Sequence, residues 1–240
     1  MKNARSIFTR VVFHENYFFL FCAMVVLLMA RPLLHGKLAG VTLQDILFWF
    51  VLLSSIRAVA RKKMIMYIAL ILFALSFFCT MAENFLPADG ELRNLFTMTA
   101  VIADLSLLIV TVVVILHDIF SSGQVTRDKI MGAICVYLLI GVIFTIVFAM
   151  LEILQPGSFN IFQIASSEEY RIVVEEKGFS QLLYYSFVTL TTLGYGDIIP
   201  TMPASRTYSA IEAIIGQIYL AVLVARLVGL HIRGGERLRG

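Results

Sequence analysis

The stretch Ser186–Pro200, SFVTLTTLGYGDIIP, lies between two long apolar runs; it is too polar to cross a bilayer and too apolar for an ordinary surface loop. Around it, 60% of the 240 residues are hydrophobic and only 15% are charged, and the mean hydropathy is +0.89. That composition excludes a soluble globular domain. The net charge of +3 reads as basic loops beside anionic lipid and cytoplasm, and no charged tail points to nucleic acid.

Outward from this stretch, apolar windows near the roughly 20 residues needed to cross a hydrocarbon core run approximately over Tyr17–Leu34, Val41–Ala60, Met64–Met81, Leu95–Leu116, Ile130–Leu154 and Tyr208–Leu230. The first follows MKNARSIFTR and has the charge order of a signal peptide. It is expected to remain as a span, because an even number of spans satisfies the charge balance. With the N-terminus inside, thirteen of the 19 basic residues fall on inward segments, leaving Arg31, Lys37, Arg93, Arg171, Lys177 and Arg206 outside. The positive-inside rule therefore favours a multi-pass protein of a cell membrane with both termini cytoplasmic. Ser186–Pro200 then joins the fifth and sixth spans and is reached from outside. Phe179–Leu190 is expected to form a helix dipping partway into the bilayer, with Ser180 as its N-cap. Non-helical backbone at that depth is tolerated only where protein buries it or it lines a water-filled cavity.

These residues carry a family resemblance. TTLGYGD (191–197) resembles the selectivity-filter signature of potassium channels, and LLYYSFVTLTTLGYGDIIP (182–200) resembles their whole pore-helix and filter unit. The likeness extends over roughly residues 129–240, while the first four spans match only in number and placement. It implies an all-α integral membrane protein of six transmembrane helices plus a re-entrant pore helix and filter. Residues 1–125 would form a peripheral, sensor-like domain and 126–240 the pore domain. The implied function is potassium-selective conduction by a homotetramer, since one filter per chain cannot encircle an ion. Potassium and lipid are the implied partners, with no cofactor beyond the permeant ion.

In that family, carbonyls at the positions matching Thr192, Leu193, Gly194 and Tyr195, with the Thr192 hydroxyl, replace the water around potassium. Gly194 and Gly196 permit backbone angles that are costly with a Cβ. Thr191 stands at the pore-helix C-terminus, whose partial negative charge favours a waiting cation. Tyr195 is expected to pack behind the filter and tether a neighbouring pore helix through its hydroxyl. Tyr184 and Tyr185 stand where a tryptophan pair is frequent, and Tyr184 is expected to hydrogen-bond Asp197. Leu193 replaces the commoner valine at a position that contributes a backbone carbonyl.

In the sixth span, Gly216 matches a position where family members bend, and equally reads as a small residue that lets the pore helix pack closely. Leu220, Val224 and Val228 follow on one helical face, either as an apolar gate or as a packing stripe. Glu212 reads as a structural acid hydrogen-bonded behind the pore helix, not an ion ligand. No Lys or Arg lies between Arg93 and Arg127, so the fourth span lacks an arginine voltage sensor. Asp104 within it reads first as a satisfied polar contact with a neighbouring helix, and second as a protonatable group that biases the pore.

Cys22, Cys79 and Cys135 read as packing residues. His14, His35, His117 and His231 form no metal-binding pattern, though His117 and His231 are conceivable pH sensors. Gln155–Lys177, with Glu168, Glu169, Glu175 and Glu176, reads as an acidic turret or a solvated loop. The ten residues after Leu230 and the short N-terminal arm are expected to carry no ligand-binding domain. The alternative is a non-conducting or regulatory subunit on the same scaffold. No nucleophile–base pair, metal site or phosphate cradle suggests an enzyme.

Overall fold

The computed structural model describes residues 17–30, 37–38, 41–59, 63–83, 85–86, 91–121, 126–162 and 178–236. His14, His35 and the turret acids Glu168, Glu169, Glu175 and Glu176 lie outside them, as do the side chains of Val228 and His231.

Among the described residues the order is α1 (Phe18–Ala30), β1 (Lys37–Leu38), β2 (Val41–Thr42), α2 (Leu43–Val59), α3 (Lys63–Glu83), α4 (Glu91–Ser121), α5 (Arg127–Leu154), a 3-10 turn (Asn160–Phe162), α6 (Phe179–Leu190) and α7 (Pro203–Glu236). The two short strands form an antiparallel pair, Lys37 opposite Thr42 and Leu38 opposite Val41. Lys63–Glu83, Leu92–Ser121, Arg127–Leu154 and Pro203–Arg226 are long and apolar enough to cross a membrane. α1 and α2, of 13 and 17 residues, are apolar but shorter than the roughly 20 residues a crossing takes.

α6 has the bounds expected for the dipping helix, but not its expected start. Gly178 precedes it with φ −58° and ψ −47° and no side-chain cap. Because helical geometry already exists at Gly178, Ser180 is the second residue inside α6 and does not act as N-cap.

The chain divides into two compact units, Met1–Val136 and Tyr137–Gly240. In the first, polar side chains are satisfied inside the protein, as a lipid environment requires. Ser55, Thr80, Ser106 and Thr111 each donate to the carbonyl four residues back in their own helix. Between helices, Ser76 Oγ donates to Asp104 Oδ1 at 2.5 Å, joining α3 to α4. Trp49 and Phe77 bring α2 and α3 together with centroids 4.7 Å apart. The Arg57 guanidinium lies 4.1 Å from the Phe19 ring centre, a cation–π contact between α2 and α1. Tyr17 is held at both ends: its N–H donates to Asp128 Oδ1 at 3.1 Å and its hydroxyl to Asp118 Oδ2 at 2.8 Å.

In the second unit, Phe144, Phe148, Phe159, Leu182 and Tyr185 form a buried cluster. Phe148, Phe159 and Tyr185 meet edge to face with centroids 5.0–5.3 Å apart. Such aromatic pairs add about 0.5–1.5 kcal/mol each beyond burial, and this trio binds α5, the segment after it and α6 into one core.

Candidate functional site

The site begins where α6 runs out of helix. Thr191 caps it, donating its N–H to Phe187 O at 3.1 Å and its hydroxyl to the same carbonyl at 2.6 Å. The next N–H groups also turn back to the helix. Thr192 donates to Thr189 O at 2.9 Å, while Leu193 and Gly194 share Val188 O at 2.9 and 3.3 Å. With their N–H groups facing α6, these peptides aim their carbonyls away from it.

Backbone angles explain how. Thr192, Gly194 and Gly196 have φ of +59°, +59° and +78°, whereas Leu193 and Tyr195 between them have no positive φ. Where residues of positive φ alternate with residues of negative φ, successive N–H groups can gather on one side of the chain and the carbonyls on the other. Glycine does this freely. Thr192 does not, and a non-glycine residue in the left-handed region costs on the order of 1–3 kcal/mol, a strain that clusters at functional sites. Among the described residues, no hydrogen bond reaches the carbonyl oxygens of Thr192, Leu193, Gly194, Tyr195 or Gly196, and all five residues are exposed. The result is a row of unpaired oxygens suited to a desolvated cation.

The Asp197 end of this row is held by side chains. Tyr184 Oη donates to Asp197 Oδ2 at 2.8 Å, the contact expected from the sequence. This bond holds the Asp197 carboxyl below its ordinary range. Asn160 grips the backbone beyond: its Nδ2 donates to Asp197 O at 3.3 Å, and its Oδ1 accepts from Ile199 N at 2.8 Å. Asn160 N also donates to Ile199 O at 3.1 Å, and Thr201 N to Ser158 O at 2.9 Å. Thr201 Oγ1 bonds Gly157 O. Glu152, 2% exposed at the end of α5, accepts from Gly157 N at 2.7 Å and Phe159 N at 3.1 Å. Two backbone donors thus satisfy a buried carboxylate, which orients the loop presenting Asn160.

Tyr185, grouped with Tyr184 on sequence, does something else. It is buried, and its hydroxyl donates to Ser209 Oγ at 2.6 Å, linking α6 to α7. Glu212 is wholly buried beside Ser186, whose hydroxyl lies 2.5 Å from Glu212 Oε1. At Gly216 a Cβ would lie 2.5 Å from Leu190 O, far inside contact distance, and α7 continues unbroken through it. Of the two readings of Gly216, close packing is the one this geometry supports. Leu190 O also accepts from Tyr137 Oη at 3.3 Å.

Leu220 and Val224 are 39% and 57% exposed, but so are Ile218 at 58% and Val222 at 46%, so their stripe is not singled out among the exposed faces of α7. Asp104 has the helix partner, Ser76, that its first reading required. Gln217, Glu152, Ser158, Asn160 and Thr201 were not foreseen. Gln217 Nε2 donates to Thr192 Oγ1 at 3.2 Å. The remaining four act through contacts across the chain that leave no local pattern, although Gly157, with φ +86°, marks a turn where they meet.

Residues 158–231, from the Asn160 loop through α6, the carbonyl row and most of α7, match a protein-family profile described as "Ion channel". No curated protein and no solved structure matches the chain. The match covers less than half of the chain; together with the four helices long and apolar enough to cross a membrane, it points to a membrane protein whose matched region is similar to ion channels.

Proposed function

We propose that four copies of this chain assemble around a common axis into a potassium-selective channel of the cell membrane. The carrying observation is the row of carbonyls on the five exposed residues Thr192 to Gly196, which accept no hydrogen bond among the described residues. Oxygens deprived of hydrogen-bond donors are favourable partners for a cation that has shed its water. One chain supplies only one side of such a cage, and a closed fourfold ring completes it.

In this reading Thr192, Leu193, Gly194 and Tyr195 coordinate potassium, Gly196 completes the row, and Tyr184 and Asp197 brace it. Tyr195, 67% exposed, turns its hydroxyl to a neighbouring copy. α1 to α5 and α7 are the six spans, both termini are cytoplasmic, and α1–α4 form the peripheral domain. α4 carries no Lys or Arg beyond Arg93, and none follows before Arg127, so opening is not driven by an arginine sensor.

The test is purified protein in liposomes with opposed potassium and sodium gradients. The membrane potential should settle at the potassium equilibrium value. Equal sodium passage sinks the selectivity, and an assembled particle without flux favours a non-conducting scaffold.

A further inference from the structure

Ser186 in the middle of α6 makes two close oxygen contacts and owns one proton. Its Oγ lies 2.7 Å from Gly141 O and 2.5 Å from Glu212 Oε1. Ser186 and Glu212 are both 0% exposed. Oxygens this close need a proton between them. Gly141 O, which also accepts from Thr145 Oγ1 at 2.8 Å, has none to give. The Ser186 proton therefore serves Gly141 O, and the contact with Glu212 needs a second proton, which only the carboxyl can supply.

Two further observations agree. Among the described residues Glu212 Oε2 is buried and has no hydrogen-bond partner, a heavy penalty for an ionised carboxylate and a much lighter one for a neutral acid. Among the described residues no cationic side chain contributes to its surroundings. The titratable groups facing it are Tyr137 of α5 and Tyr185 of α6. On its own helix, Arg206 lies about 9 Å along the axis and donates to Pro200 O.

We propose that Glu212 is held as the neutral carboxylic acid and donates to Ser186, making it the positioning residue that fastens α6 to α7 through a shared proton. The chain of bonds runs Glu212 to Ser186 to Gly141 O, so one proton ties α7 to α6 and the next ties α6 to α5. Ionising Glu212 would put a charge beside an unpartnered buried oxygen and remove the donor from the first tie.

The inference concerns a proton and does not rest on conduction, so it can fail while the channel reading stands, and the reverse. The full chain is examined by infrared spectroscopy at neutral pH and by thermal unfolding across pH. Wild type should show the carbonyl stretch of a protonated carboxylic acid, and Glu212→Gln should lack it. At or below about pH 4.3, where an unfolded glutamate is protonated as well, Glu212→Gln, a neutral isostere, should melt with wild type, while Glu212→Ala and Ser186→Ala melt lower.

The pH profile adds a signature that a merely structural role would not move. The folded state keeps a proton that an unfolded glutamate loses near pH 4.3, so wild-type stability falls as pH rises above that value until Glu212 ionises. Glu212→Gln removes that slope, while the phenols of Tyr137 and Tyr185 titrate in both proteins. No acid band assignable to Glu212, or a Glu212→Gln variant as unstable or unfoldable as Glu212→Ala, overturns the proposal.

Discussion

Tyr184 and Asp197 meet in an exposed place, yet the bond between them sets the charge at one end of the carbonyl row. Because the phenol hydroxyl holds Asp197 below its ordinary range, the contact is intact above the unperturbed aspartate value, near 3.9. It is lost as pH falls through the depressed one. Tyr184→Phe returns Asp197 towards the unperturbed value, so acid inhibition of potassium current should begin at higher pH than in wild type. Current under sustained activation should also decline faster. Proton titration of single-channel current checks both, and an unchanged profile would show that the bond braces nothing. At the other end, the residue that bears strain is Thr192, whose left-handed backbone is held by N–H bonds to α6 and by Gln217 on its hydroxyl.

Among the elements, α6 is where the site is won or lost. Three contacts on successive turns fix it against α7: Tyr185 with Ser209, Ser186 with Glu212, and Leu190 against Gly216. The last allows no side chain. Gly216→Ala forces a Cβ into a backbone carbonyl, and overpacking of this kind costs about 1–3 kcal/mol. A flexible hinge would behave oppositely, since alanine in a helix interior is favoured over glycine by about 1 kcal/mol. We expect the variant to unfold at lower temperature and to carry less current. A variant at least as stable as wild type would restore the hinge reading. α3 and α4 show the same economy: the intramembrane Asp104 is answered by a buried serine hydroxyl on the adjacent helix.

At the scale of the whole molecule, two compact units divide the chain within α5. The second contains the carbonyl row but does not close it. Ile211, Ile214, Ile215 and Ile218 along α7 are 37–58% exposed, and together with Tyr195 they leave an apolar flank that the proposed tetramer would cover with neighbouring copies. Native mass spectrometry or light scattering corrected for detergent should therefore give a particle of four times 26.9 kDa, with fourfold order in projection. A stable monomer or dimer would leave the oxygens unable to surround an ion.

Much of this was written locally in the chain. Composition requires a membrane, and long apolar runs place helices because hydrocarbon forbids unpaired backbone over that length. The glycines at alternate positions of TTLGYGD announce the left-handed angles that the backbone adopts at Gly194 and Gly196. The bounds of α6 were legible for the same reason, although its start was not: nothing in GFSQ reveals that Gly178 is already helical. What tertiary structure alone decided are the pairings between distant residues. Asn160 reaches residues 37 and 39 positions away, and Ser76 meets Asp104 at a separation of 28. Whether a buried acid keeps its proton, or a glycine bends or packs, depends on which atoms folding brings within three ångströms, and no spacing along the chain encodes that distance.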